Sequence, residues 1–193
     1  MRPTILLSFD IEEFDMPLEY NYNISIETQM GIGKKGLDNL MPILNDKYYT
    51  TTVFTTANFA NQFPDTIKAL SNKHEIASHT FYHSNYTTEH LLTSRQRLSE
   101  IIEKPITGLR MPRMRQVPIS HIQEAGYLYD ASIHPIWLPG RYNHLNKPRT
   151  IFKEKQVVRI PASVSPNFRI QLFWLIFKNF PYAFYLKLSL HSV

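Results

Sequence analysis

His79 and His83 stand four residues apart in Glu75-Ile76-Ala77-Ser78-His79-Thr80-Phe81-Tyr82-His83. On a helix or a tight turn that spacing puts both imidazoles on one face. A second cluster, Ser8-Phe9-Asp10-Ile11-Glu12-Glu13, follows an apolar run. Two neutral imidazoles and a carboxylate are the usual ligand set of a catalytic zinc or similar divalent ion with a position open for water. Strand side chains alternate, so Asp10 and Glu12 share a side if the strand continues through Ile11. One of them can then ligate while the other takes a proton from water. Taken alone, acidic residues after a strand cap a helix or face solvent, and a lone histidine is structural. Together the four residues point to metal-assisted hydrolysis.

The remaining candidates divide by context. Glu13 and Asp15 read as solvated, and His74, His90, His121, His134 and His144 lack comparable spacing and read as surface residues. Leu109-Arg110-Met111-Pro112-Arg113 puts a guanidinium at a strand end, where it can bind a carboxylate bidentately or stand as an ordinary surface arginine. Arg113 and Arg115 read as surface arginines. Trp137 and Tyr142 can stack on sugar rings or form a small packing cluster.

The elements that must position these residues alternate. Residues 4–9, 50–56, 74–78, 107–110, 127–132 and 157–160 read as strands. Helices are expected at residues 34–47, where Pro42 should kink or shorten the turn, and at 88–104, where Pro105 stops it. Asn58 caps a further helical segment that Pro64 restarts, and residues 118–125 form one ended by Gly126. A long loop with Pro135, Pro139, Gly140 and Pro148 follows, and residues 168–179 form a very apolar helix. Alternating strands and helices predict a parallel α/β sheet, open or closed into a barrel, whose site gathers at the carboxyl ends of the strands. Asp10, His79, Arg110 and Asp130 all fall at such ends.

Composition sets the outer bounds. The 193 residues suit one domain over residues 1–193, without repeat or linker. With no cysteine, disulfides and thiolate metal sites are excluded, and any ion must be held by nitrogen and oxygen. The net charge of +5 comes from dispersed basic residues without a binding motif, so no nucleic-acid partner is expected. An anionic cell-wall or lipopolysaccharide surface suits that charge equally well. No secretory signal opens the chain, and residues 172–184 carry Lys178 and Pro181, too short and broken to span a bilayer. A soluble, cytoplasmic protein is expected, with no transmembrane segment.

Ser8-Phe9-Asp10-Ile11-Glu12, His79-Thr80-Phe81-Tyr82-His83, Arg110-Met111-Pro112 and Tyr129-Asp130-Ala131-Ser132 resemble successive motifs of the polysaccharide deacetylase family, the NodB-homology group of carbohydrate esterases. The Asp-x-Glu form is similar to a bacterial subgroup with peptidoglycan deacetylase-like and cyclic-amidase-like members. The resemblance implies an α/β fold, a distorted (β/α) barrel of about seven strands. It implies that Asp10 is the general base, that Glu12, His79 and His83 hold a divalent metal, with zinc expected, that Arg110 tethers Asp10, and that Asp130 supports the site from behind. It also implies a carbohydrate substrate whose N- or O-acetyl group is removed. The alternatives are hydrolysis of a cyclic amide by the same constellation, or a degenerate site that only binds carbohydrate.

One departure concerns the carboxyl end. The family closes with a strand ending in a histidine that acts as general acid, and here only His191 is available. Residues 184–191 alternate as a strand would, but the segment reads equally well as a helix in a chain that lacks its last strand.

Overall fold

The computed structural model describes residues 5–140 and 142–190. Strands β1 (Ser8–Ile11), β2 (Thr52–Thr55), β3 (Glu75–Ser78), β4 (Gly108–Leu109) and β5 (Tyr129–Asp130) lie side by side in chain order and parallel. A small antiparallel hairpin, β6 (Trp137–Leu138) and β7 (Tyr142–Asn143), stands apart. The chain then returns through β8 (Phe152–Glu154) and β9 (Val157–Arg159). These two pair antiparallel, and β9 adds parallel to β5. The large sheet therefore has seven strands in the order β1-β2-β3-β4-β5-β9-β8. Among the described residues β1 and β8 are its two edges, and the barrel is not closed.

The first strand sits later than the sequence predicts. Residues 5–7 are exposed and outside the strand, and pairing begins at Ser8 and runs through Ile11. Asp10 therefore lies inside the strand, level with Phe54 of β2. The hairpin β6–β7 and strand β8 fall within the stretch expected to be an irregular loop. Their two- and three-residue strands are too short for periodicity to reveal.

Helix α1 (Ile26–Leu44) starts well ahead of residue 34 because Ser25 caps it, accepting from the Thr28 amide at 3.2 Å. Pro42 falls in the final turn, and the helix stops at Leu44 as a shortened turn should. Helices α2 (Ala57–Gln62), α3 (Pro64–Leu70), α4 (Glu89–Ile102) and α5 (Ile119–Glu124) complete the connections. They bury Phe59, Ile67, Leu91, Leu98 and Ile102 against Val53, Ile76 and Leu109 of the sheet. Burying each such side chain contributes roughly 1.5–3 kcal/mol. On the opposite face Phe54 and Ala77 pack with Ala131, Tyr129 and Ile160. Cover on both faces is what a parallel sheet requires.

The carboxyl-terminal segment is helical. Helix α6 (Trp174–Asn179) is shorter than expected, since Val164 and Gln171 form an antiparallel bridge before it. Helix α7 (Tyr182–Leu190) replaces the strand reading of that stretch. Pro181 stands where a helix starts, and Ala183, Leu186, Lys187, Leu188 and Leu190 are strong helix formers. His191 lies outside the described residues. Among the described residues no helix is long and apolar enough to cross a membrane.

Candidate metal centre

The sheet delivers its polar side chains along one rim. His79 directly follows β3, and its amide extends the ladder by donating to the Thr55 carbonyl at 2.8 Å. Arg110 directly follows β4, donating its amide to the Ser78 carbonyl at 2.9 Å. After His79 the chain is not helical. Thr80 takes a left-handed conformation, φ 62°, which is rare for a β-branched residue. That turn is held from α2, whose first amides donate to the Thr80 and Phe81 carbonyls at 3.0 and 2.9 Å. The histidine spacing therefore works through a pinned loop, and the two rings lie stacked with centroids 5.7 Å apart.

Glu12, His79 and His83 converge. Glu12 Oε2 is 3.0 Å from His79 Nε2, and Oε1 is 3.3 Å from His83 Nε2. One ligating atom from each residue lies within 4.8 Å of the others. The tautomers follow from the far side of each ring. His79 Nδ1 faces the Arg110 carbonyl at 2.8 Å and must donate to it. His83 Nδ1 faces the Asp15 carboxylate at 2.6 Å and must do likewise. In neutral rings both Nε2 atoms then carry lone pairs aimed at a carboxylate. Among the described residues the buried Glu12 Oε2 receives no hydrogen bond. Electron-rich atoms at this separation need a cation among them, either protons or a metal. Ligands about 2.1 Å from a tetrahedral ion stand about 3.4 Å apart, close to the separations here. Without an ion, burial pulls the His79 imidazole down, but the charges of Asp10 and Glu12 outweigh it and raise its pKa above the ordinary value.

Asp10 stands beside this group, 39% exposed, with Oδ1 accepting from Arg110 Nη1 at 2.7 Å. Arg110 is fixed in turn, donating from Nη2 to Ser8 Oγ at 2.8 Å and lying over the Phe54 ring at 4.1 Å. Asp130 does not bond directly to this cluster. Fully buried at the end of β5, it accepts from Ser132 Oγ and lies 3.2 Å from Arg159 Nε. Burial raises its pKa despite the Arg159 guanidinium. Ser132 Oγ also accepts the Met111 amide at 2.8 Å, so Asp130 steadies the segment carrying Arg110.

Several expectations for neighbouring residues are overturned. Glu13 and Asp15 are buried. Glu13 accepts from Thr56 Oγ1 at 2.6 Å and from the His83 amide at 3.1 Å, tying β1, α2 and the histidine loop together. Burial alone would raise the Asp15 pKa. Hydrogen bonds from His83 and Ser84, with the charges of His83 and Arg113, lower it instead. Arg113 is no free surface arginine, since it donates to Asp15 at 3.2 Å, to Ser84 and to Glu19. These pairs join residues far apart in sequence, so spacing carries no trace of them. His74, His134 and His144 are buried, whereas His90 and His121 keep partial exposure. His74 is held by the Leu44 carbonyl and Thr51, and burial pushes His134 down to about 4. Trp137 is exposed as expected, whereas Tyr142 stacks on His144.

A parallel α/β sheet with its polar cluster at the strand carboxyl ends defines the (β/α) class of proteins. Within that class, residues 2–126 match the family model for polysaccharide deacetylase, and the chain belongs to this family. The match includes Asp10, Glu12, His79, His83 and Arg110 and stops before Asp130. No curated protein matches the chain. Among solved structures, a Mycobacterium smegmatis protein classed as a polysaccharide deacetylase is similar with a TM-score of 0.60 and 18% identity over 82% of this chain and 58% of that one. Puue allantoinase is similar with a TM-score of 0.56 and 20% identity over 83% of this chain and 61% of that one. A Pseudomonas aeruginosa PAO1 protein classed as a polysaccharide deacetylase gives 0.53 and 20% over 83% and 62%. These likenesses establish the shared fold, and the chain spans 58–62% of the length of those structures.

Proposed function

We propose that the chain carries the metal-binding and base-bearing part of a hydrolase that removes acetyl groups from N- or O-acetylated sugars of a polysaccharide or glycoconjugate. The observation that carries this reading is the convergence of Glu12, His79 and His83 on an unbonded carboxylate oxygen beside a tethered Asp10. Glu12, His79 and His83 would hold a divalent ion, with zinc favoured because two imidazoles and one carboxylate are a common catalytic zinc donor set. When bound, such an ion supplies Lewis-acid polarisation of the acyl carbonyl and acidifies water.

The chain's own residues supply the rest. Arg110 occupies Asp10 Oδ1 and leaves Oδ2 to accept the proton of the attacking water. The ring of Phe54 and the hydroxyl of Ser8 keep the guanidinium from turning with its partner. Buried Asp130 and Ser132 hold the backbone from which Arg110 projects. Pre-set geometry of this kind lowers the reorganisation needed at the moment of reaction.

The test is metal analysis of the purified chain coupled to acetate release from N-acetylated sugar oligomers. A stoichiometric divalent ion is expected, with acetate release that a chelator abolishes and zinc restores. A chain that binds no divalent ion, or turnover that ignores chelation, defeats the reading. Opening of a cyclic amide without acetate release would move it to that other reaction.

A further inference from the structure

Asp15 is 3% exposed, yet it is a carboxylate, and burying one is costly unless its oxygens are filled. Here they are filled by three side chains from two loops. Asp15 stands at the start of the 3₁₀ turn Met16–Tyr20 that follows β1. His83 Nδ1 at 2.6 Å and Ser84 Oγ reach it from the loop after β3, and Arg113 Nη2 at 3.2 Å from the loop after β4. The His83 backbone is held through its amide by Glu13, so the loop has an anchor besides Asp15. The imidazole is held at Nδ1 by Asp15. Of its two nitrogens, Nε2 faces Glu12, and the proton on Nδ1 has Asp15 as its acceptor.

We propose that Asp15 is the positioning residue of the Glu12–His79–His83 centre, fixing His83 as the Nδ1–H tautomer so that its Nε2 lone pair faces Glu12. This rests on the metal-binding reading above. A carboxylate behind a ligating imidazole orients the ring and raises its basicity, and losing such a partner typically lowers metal affinity about 10- to 100-fold. The equivalent contact for His79 is the Arg110 carbonyl, a neutral acceptor that no side-chain substitution removes. Asp15 is therefore where the strength of the centre can be changed without touching a ligand.

The experiment measures zinc affinity of the full chain by competition with a chelating dye, for the unaltered protein, Asp15→Asn, Asp15→Glu and Glu12→Gln. An amide at position 15 can donate to Nδ1 and so favours the wrong tautomer. Asp15→Asn should bind zinc about 10- to 100-fold more weakly, Asp15→Glu should recover part of the loss, and Glu12→Gln should lose the site. In the zinc-loaded unaltered protein, ¹⁵N resonances of the His83 ring should place the proton on Nδ1. That measurement decides the matter even if Asp15→Asn does not fold. Zinc bound as tightly by Asp15→Asn as by the unaltered chain, or a proton found on His83 Nε2, overturns the proposal and leaves the metal reading standing. An unaltered chain that binds no zinc overturns both.

Discussion

At the residue scale the proposed ligands and the proposed base can be told apart by substitution. Asp10→Asn removes the proposed proton acceptor and keeps Glu12, His79 and His83, so metal content should hold while acetate release falls by about 10²- to 10⁴-fold. Glu12→Gln should lower metal occupancy, and equal metal loss in both variants would reverse the assignment. Proton linkage gives a second check. The His79 pKa is raised in the metal-free fold, so its protonated form stabilises that fold fully below its ordinary value of 6.5. This contribution disappears as pH rises through the folded pKa. Chelator-treated protein should therefore lose melting temperature on passing from about pH 6 to pH 8, less so in His79→Ala. Zinc binding across the same window should release protons, measurable by pH-stat titration, and a flat release profile would refute the exchange. Much of this cluster was legible in sequence because its side chains sit at short local spacings, Asp10 to Glu12 and His79 to His83. The buried partners Glu13, Asp15, Thr56 and Arg113 were not, because each acts across elements that only folding brings together.

At the scale of elements, the position of Glu12 is set by a close approach of α1. A Cβ added at Gly33 would meet the Glu12 carbonyl oxygen at 2.2 Å and the Phe59 ring at 3.1 Å. The helix can lie against the strand end only because that side chain is missing. Gly31 and Gly36 on the same helix have nothing within 4 Å of such a Cβ. Gly31→Ala and Gly36→Ala should therefore each stabilise by roughly 0.5–1 kcal/mol, the ordinary helix cost of glycine. Gly33→Ala should instead destabilise by about 1–3 kcal/mol and weaken metal binding, since the backbone carrying Glu12 must move. Thermal melts and zinc titrations of the three variants check this, and a stabilised Gly33→Ala with intact zinc affinity would show that the contact does not position the site. Helix α7 shows the limit of pattern reading at this scale. Its alternation of apolar and polar residues suits a strand, but Pro181 and a run of helix-forming residues decide for helix.

For the molecule as a whole, the six parallel strands follow from alternating strand and helix signals with Pro and Gly punctuation, legible without coordinates. Strand β8 and its antiparallel pairing to β9 were hidden, because Phe152-Lys153-Glu154 holds a single strand-favouring residue. What the assembled sheet achieves is to join Glu12, at the end of its edge strand, to the loop after its third strand, with β2 between them. An ion held by both segments binds the native chain and not the unfolded one, so it must stabilise the whole fold by mass action. At a free zinc concentration 100 times the dissociation constant the gain is about 2.7 kcal/mol. In a chain of 193 residues that corresponds to a rise of roughly 5–10 °C in melting temperature. Asp10→Asn should keep this rise, because Asp10 is not among the converging ligands, whereas Glu12→Gln and His79→Ala should lose it. Differential scanning calorimetry with and without zinc makes the comparison, and a melting temperature indifferent to zinc in the unaltered chain would mean that the three side chains meet without forming a metal centre.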